Sequence, residues 1–449
     1  MSDIQNITDR SASPAPSEQT PSPIEGVEVL AQSPASRLDP AWSGARALVV
    51  GLGESGLAMA KWLSMCGAQM SVLDSRAEPP GKATLLASVP QASLLHASLG
   101  EFSCEGYDLL AWSPGLSIEV GESAQLYLRA KSLGIPVYGE LDLFLSVLAS
   151  QGESGYRPKL LGITGTNGKT TVTALTAHLC RAAGLRAQAA GNIGPSMLDA
   201  WIQTDALLPQ VWVLELSSFQ VAASHLTVGH KIFDAATVLN LSQDHLDWHA
   251  SMSSYQQAKV KLLMATKVQI VGDDTSLMYK EVLPEPVKPS RSLAAKTAAQ
   301  TVPAPAMTVD APLLSRVVRF SSGAPPAIGD FGMVQDGSLK WLAAGTPGED
   351  IPTRRKGVQT ELIIKRLMPA DALKIRGQHN HLNVLAALAL CRALALPLSS
   401  LLHGLRDYHG EPHRCELVAI IDDIEYIDDS KGTNVGATVA GLEIGRAHV

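Results

Sequence analysis

Two glycine-rich turns carry the first chemical signal in this chain. In "GTNGKTT" (165–171), Gly165, Thr166, Asn167 and Gly168 precede Lys169, and Thr170 and Thr171 follow at an expected helix start. Backbone N–H groups, one ammonium and two hydroxyls in that order suit a triphosphate and its metal ion. The spacing departs from the common phosphate loop, because Ile163 stands five positions before Gly168, where a glycine is usual. A second turn, "GLGESG" (51–56), offers Gly53, Glu54 and Ser55 between an apolar run and a helical pattern, with Asp74 closing the next run. That pattern places a diphosphate on a helix N-terminus and a carboxylate near a ribose, and leaves the nucleoside open. One diphosphate site and one triphosphate site suit an enzyme that spends ATP on a nucleotide-linked substrate.

Acidic and cationic groups fall between and after these turns. Glu215 ends the apolar run "VLEL", where a carboxylate is costly unless it binds something or caps the next turn. Asp244 and His245 follow "ATVLN" and so fall on the strand-end edge where ligands of open α/β sheets gather. His249 reads as structural. Lys259 in "YQQAKVKLL" is indistinguishable by residue chemistry from Lys261 and Lys267, all three fitting a solvated helix face.

The elements that must position these groups alternate in the α/β manner. The 449 residues allow two or three domains. A 46% hydrophobic, 18% charged composition is that of a globular enzyme, and the net charge of −7 without a basic block argues against nucleic acid. Five scattered cysteines, no membrane-length apolar run and no signal-peptide pattern point to free thiols in the cytoplasm. Residues 1–40 read as a disordered Ser/Pro-rich tail and 41–150 as a Rossmann-like domain. A boundary is expected in the polar stretch 148–159. A central phosphate-loop domain then spans 151–411, with a surface insertion at 284–306, and a third unit starts at 412.

The motifs "TGTNGKTT", "GNIG" (191–194), "ELSSFQ" (215–220), "LNLSQDHLDWH" (239–249), "YQQAK" (255–259), "GQHNHLN" (377–383), "PHRCE" (412–416) and "DDSKGTN" (428–434) occur in one order. In that order the chain resembles the Mur ligases, and among them the D-glutamate-adding branch. The resemblance implies ATP, two Mg²⁺ ions, the substrates UDP-N-acetylmuramoyl-L-alanine and D-glutamate, and a monomer. It puts Gly53, Glu54 and Ser55 on the diphosphate of UDP, and Asp74 and Arg76 near the uracil. Asn192, Ser217 and Gln220 would line the muramoyl-alanine end. Lys169 and Thr170 would serve the phosphates, with Thr170, Glu215, His245 and a carbamylated Lys259 as metal ligands. Asn380 and Asn383 are implied for the adenine, Arg414 and Asp429 for the ribose and phosphates. Lys431 and Thr433 would lie near the reacting carboxyl and the incoming amine.

The resemblance also implies a larger third domain than 412–449 can form. This reading therefore expects a truncated C-terminal Rossmann-like domain, a foreign closing stretch at 443–449, and a chain that binds UDP substrate and ATP but ligates poorly. A rival from another class is an NAD-dependent oxidoreductase with an accessory nucleotide domain, resting on GxGxxG and Asp74. Folylpolyglutamate synthases share the phosphate-loop logic without the leading GxGxxG domain.

Overall fold

A computed structural model describes residues 37–227, 229–273, 316–348 and 361–444. The insertion expected at 284–306, most of the tail, and residues 445–449 lie outside the described residues.

The first sheet contains β1 (Arg46–Val50), β2 (Gln69–Asp74), β3 (Ser93–His96), β4 (Leu109–Trp112) and β5 (Val137–Gly139). Its order is β3-β2-β1-β4-β5 and every pairing is parallel. Helices α1 (Glu54–Met65), α2 (Lys82–Ser88), α3 (Gly121–Ser132) and α4 (Glu140–Glu153) belong to this unit. Such a sheet is covered on both faces, which is why β1 and β4 read as continuous apolar runs. In α1, Ala58, Met59, Trp62 and Leu63 recur at helical spacing and are buried, and Gly67, in a left-handed conformation, turns the chain out of the helix. Strand order reverses between β1 and β4, which opens a crevice at their C-terminal ends.

Two boundaries differ from the sequence expectation. Helix α4 runs to Glu153 because Val147, Leu148 and Gln151 stay buried along one face, so the domain junction shrinks to 154–158. Packing also begins before residue 41. The Arg37 guanidinium donates to the Thr204 and Asp205 carbonyls, both at 2.6 Å, and buried Asp39 accepts from the Ser146 hydroxyl at 2.8 Å.

The second sheet holds β6 (Lys159–Thr164), β7 (Ala187–Gly191), β8 (Val211–Glu215), β9 (Phe233–Val238), β10 (Thr266–Gly272), β11 (Arg316–Phe320), β12 (Phe331–Asp336), β13 (Leu339–Pro347) and β14 (Leu362–Pro369). Its order is β14-β13-β12-β11-β10-β9-β6-β8-β7, parallel from β12 to β7 and antiparallel through β12, β13 and β14. Its helices are α5 (Lys169–Ala182), α6 (Met197–Gln203), α7 (Ser218–Ala223), α8 (Met252–Met264), α9 (Gln378–Ala393) and α10 (Leu398–Asp407). Helix α9 is apolar on nearly every side, and it is buried accordingly.

The two sheets share one core. Trp62 and Phe144 of the first unit join Trp201, Trp212 and Phe233 of the second, with the Phe144 and Trp212 rings edge-on at 5.0 Å.

The last described stretch forms a hairpin, β15 (Glu416–Ile421) and β16 (Ile424–Asp428), followed by α11 (Val435–Leu442). Asp422 and Asp423 both take positive φ at the two-residue turn, the geometry that matches strand twist. Within the region expected to begin a truncated third domain, two strands are thus paired and a helix accompanies them. Val418, Ile420 and Ile424 remain 57–60% exposed.

Candidate functional site

Both glycine turns lie at the C-terminal edge of their sheets. At the second, β6 ends at Thr164, and Gly168 caps α5 from a left-handed φ of 81°. A side chain there would be strained, and its Cβ would come within 2.5 Å of Asn383 Oδ1. Asn240, just past β9, holds the loop in register: its Oδ1 accepts from Asn167 N at 2.8 Å and its Nδ2 donates to Asn167 O at 3.0 Å. Thr166 Oγ1 is 3.0 Å from the Tyr255 hydroxyl. The Lys169 ammonium folds back onto the Gly165 and Thr166 carbonyls at 2.9 and 2.8 Å. Burial lowers its pKa.

A cavity of about 410 Å³ opens beside this loop, lined by Asn167, Gly168, Thr171, Asn380, Asn383, Arg414 and Asp429 among others. Asn383 Nδ2 donates to Asn380 Oδ1 at 3.1 Å, which joins the two asparagines at the start of α9. Arg414 reaches from the hairpin to donate to Thr170 Oγ1 at 2.9 Å. Asp429 accepts from Cys415 N at 3.2 Å. Asn434 pairs reciprocally with Asn167, at 2.8 and 3.2 Å. The nucleotide-binding residues expected from both ends of the chain are therefore gathered. Lys431 and Thr433 are exposed and do not line this cavity.

Lys259 is distinct from its neighbours. It is 2% exposed, donates to Gly165 O at 2.9 Å, and stands 4.4 Å over the Tyr255 ring. Burial, and then the nearby Lys169 charge, push its pKa well below the ordinary value. Lys261 instead donates to the Ala222 and Ser224 carbonyls, and Lys267 pairs with Asp234 on the surface. Glu215, at the end of β8, is buried. Its Oε1 accepts from Asn192 Nδ2 at 2.7 Å, while its Oε2 has no hydrogen-bond partner among the described residues.

His245 has a left-handed φ of 55° and packs edge-on against Phe219 at 4.8 Å. Burial lowers its pKa, against the opposing pull of Asp244. Among the described residues, one group of three His, Cys, Asp or Glu side chains has ligand atoms within 4.8 Å of one another: His413, Glu416 and Asp428 on the hairpin. Glu215 and His245 belong to no such group. Ser217 and Gln220 form a reciprocal cap at the start of α7, with Ser217 Oγ accepting from Gln220 N at 3.2 Å and Gln220 Oε1 from Ser217 N at 2.9 Å. Ser217 Oγ and Gln220 Oε1 are thus engaged in the fold. His249 is fully buried, with Nε2 3.0 Å from the Ser218 hydroxyl, in keeping with a structural role.

At the first turn, a cavity of about 390 Å³ is lined by Gly53, Glu54, Ser55, Asp74 and Arg76 on one side and by Ser113, Pro114 and Leu116 on the other. The Ser113 hydroxyl donates to Gly51 O at 2.6 Å and spans the crevice between β1 and β4. A Cβ on Gly56 would lie 1.9 Å from Gly51 O, so only glycine permits this close approach of helix and strand. Asp74 accepts from Leu52 N at 2.8 Å and from Arg76 N, Nε and Nη2 at 2.8–2.9 Å. Burial alone would raise this carboxyl, but the bonds from Arg76 and Leu52 outweigh it and hold it down to about 2.

Asn240, Tyr255, Asn434 and the Ser113–Leu116 wall were not singled out by sequence reasoning. The three single residues lie inside quoted motifs, and that membership is the signal that could have found them; the Ser113–Leu116 wall follows β4, at the strand-end edge where such clefts open.

Comparison with known proteins matches residues 45–139 to the model described as Mur ligase MurD-like, N-terminal domain, and residues 163–304 to the Mur ligase middle domain. A UDP-N-acetylmuramoylalanine–D-glutamate ligase of Cupriavidus pinatubonensis is 46% identical over 411 residues, covering 88% of this chain and 75% of the relative. The protein of the same name in Burkholderia mallei is 44% identical over 409 residues, with the same coverage. The likeness to a solved UDP-N-acetylmuramate-alanine ligase of Thermotoga maritima is weak, with a TM-score of 0.48 and 17% identity over 89% of this chain and 77% of that one. The sequence matches set aside the oxidoreductase reading of the first turn. The chain belongs to the Mur ligase family.

Proposed function

We propose that this chain joins D-glutamate to UDP-N-acetylmuramoyl-L-alanine at the expense of ATP, a step in building the bacterial peptidoglycan precursor, as a cytoplasmic monomer. The observation that carries this reading is the presence of two clefts, each beside a glycine turn at the edge of its sheet, in a chain at 44–46% identity with relatives named for that reaction. The first cleft would take the UDP group, with Glu54 and Ser55 at the diphosphate and Arg76, oriented by Asp74, at the uracil. The second would take ATP, with its base by Asn380 and Asn383 and its phosphates along Gly165–Thr171 and Arg414.

The reaction is a phosphoryl transfer followed by acyl transfer. The terminal carboxylate of the UDP substrate attacks the γ-phosphate, ADP leaves, and an acyl phosphate forms. The D-glutamate amine then attacks the carbonyl, and phosphate leaves as the amide bond forms. The first step brings two anions together, so cationic groups and fixed N–H donors dominate its catalysis. Lys169 would turn from its own loop carbonyls to the β- and γ-phosphates, while the N–H groups at the α5 terminus cradle them. Lys431 and Thr433 would approach the reacting carboxyl.

The residues present fit a divalent cation, because Glu215 Oε2, buried at the end of β8, lacks a partner among the described residues, and Thr170 stands in the first turn of α5, where its Oγ1 would exchange Arg414 for the ion. Magnesium there would supply charge neutralisation and orientation of the γ-phosphoryl group. A second ion would be held by His245 and a carbamylated Lys259. Carbamylation joins the amine nitrogen to CO₂ and releases one proton, which requires a neutral amine. The burial of Lys259 favours that form.

The test is phosphate release from ATP with UDP-N-acetylmuramoyl-L-alanine, with and without D-glutamate. Release that requires both substrates supports the reading; release indifferent to D-glutamate and to the UDP substrate refutes it.

A further inference from the structure

One wall of the first cleft also reaches the second domain. Ser113, Pro114 and Leu116 line the cleft, and the same loop continues through 117–120 to meet the segment that follows His245. The Ser117 hydroxyl donates to Trp248 O at 2.7 Å, and Trp248 Nε1 donates back to Pro114 O at 3.0 Å. Glu119 closes the contact. Its Oε2 accepts from Ala250 N at 2.9 Å, its Oε1 accepts from the Ser254 hydroxyl, and that oxygen lies 3.6 Å from His249 Nδ1.

The receiving residues surround the N-terminus of α8, where Ser251 is the cap, and a carboxylate is favourable at that end of a helix. Two chemically important side chains bracket the contact, His245 before it and Lys259 on α8 after it. One aromatic layer connects them. His249 packs against Phe219, Trp248 and Tyr255 at 5.7, 4.6 and 5.2 Å; Phe219 meets His245 at 4.8 Å, and Tyr255 lies beneath the Lys259 amine. Tyr255 also touches Thr166 of the phosphate loop. A shift of the 113–120 loop has a contiguous packed route to both His245 and Lys259.

We propose that Glu119 is a positioning residue that latches the wall of the UDP cleft to the segment bearing His245 and Lys259, so that filling the first cleft improves nucleotide binding in the second. This rests on the reading of the two clefts as UDP and ATP sites. The latch carries no chemistry itself; it acts through Ala250, Ser254 and His249.

The experiment is calorimetric titration of the full chain with a non-hydrolysable ATP analogue and magnesium, with and without saturating UDP-N-acetylmuramoyl-L-alanine. In the wild type the UDP substrate tightens the analogue by about five-fold or more, the lower range of coupled sites. Glu119→Ala brings that factor to about one, while each ligand alone binds within roughly two-fold of wild type. Glu119→Gln keeps most of the coupling, because its amide oxygen still accepts from Ala250 N while its Nε2 donates to the Ser254 hydroxyl oxygen. Should Glu119→Ala fail to fold, Ser254→Ala removes one donor and lowers the factor in a folded chain. Wild-type coupling in Glu119→Ala or in folded Ser254→Ala overturns the proposal, as do two ligands that bind the wild type independently. A wild type that binds neither ligand overturns the two-cleft reading itself and the latch with it.

Discussion

Replacing Asp74 by alanine tests how the first cleft is built. The carboxylate is 3% exposed and accepts from Leu52 N in the glycine turn and from Arg76 through its backbone and guanidinium. The Leu52 bond is buried and charge-assisted, a class that contributes about 1.5–3 kcal/mol. The Arg76 side chain is 54% exposed, which limits its ion pair to about 0–1 kcal/mol. Asp74→Ala should therefore cost about 2–4 kcal/mol of stability. Arg76→Ala should cost less than about 1 kcal/mol.

Loss of the Leu52 anchor frees the turn that would meet the diphosphate. If about 2 kcal/mol of that loss is repaid on binding, UDP affinity falls roughly thirty-fold. The contribution also has a pH signature. Its folded pKa is depressed to about 2 from an ordinary 3.8, so the stabilisation is complete above 3.8 and disappears as pH falls through 2. Calorimetric titration with UDP, using an ATP analogue as the internal control, measures the effect. A folded Asp74→Ala chain that binds UDP within two-fold of wild type would refute the reasoning.

Lys169→Ala should lower phosphate release by about 10²–10³-fold, as expected for one charge-stabilising donor, and leave UDP binding unchanged in calorimetry. Lys259→Ala should lose turnover, and short carboxylates should partly restore it. Because burial lowers the pKa of Lys259, the neutral amine gains population as pH rises. Bicarbonate should then relieve a loss of wild-type activity on the acid side, and turnover indifferent to bicarbonate in CO₂-depleted buffer contradicts the role. Gly56→Ala drives a Cβ to 1.9 Å from Gly51 O and 2.7 Å from Ser113 Oγ, an overlap worth about 1–3 kcal/mol or more. A melting temperature and UDP affinity equal to wild type would show that the turn can relax.

Much of the scaffold was legible because local patterns decide it. The glycine turns expected between an apolar run and a helix both fall at strand ends followed by helices, and Asp74 closes β2 as the pattern requires. The junction lies within the expected 148–159 but is shorter than its polar composition suggests, because the buried face of α4 continues through Gln151. Contacts between distant residues were not legible. Asn240 and Asn434 anchor Asn167 across 73 and 267 positions, and Glu119 reaches Ser254 across 135. Nothing in the type or spacing of an asparagine or glutamate announces such a partner. Lys259 differs from Lys261 and Lys267 through burial, which depends on how α8 lies against the phosphate loop. Only the family resemblance singled it out beforehand.

The central claim is that the substrate carboxylate is activated by direct phosphorylation between the two clefts. It is tested most directly with UDP-N-acetylmuramoyl-L-alanine carrying ¹⁸O in its terminal carboxylate, supplied with ATP and D-glutamate. The account predicts that one ¹⁸O of the carboxylate appears in the released phosphate for each D-glutamate joined, because phosphate leaves with the oxygen that attacked. Phosphate free of ¹⁸O, formed alongside the ligated product, would contradict it.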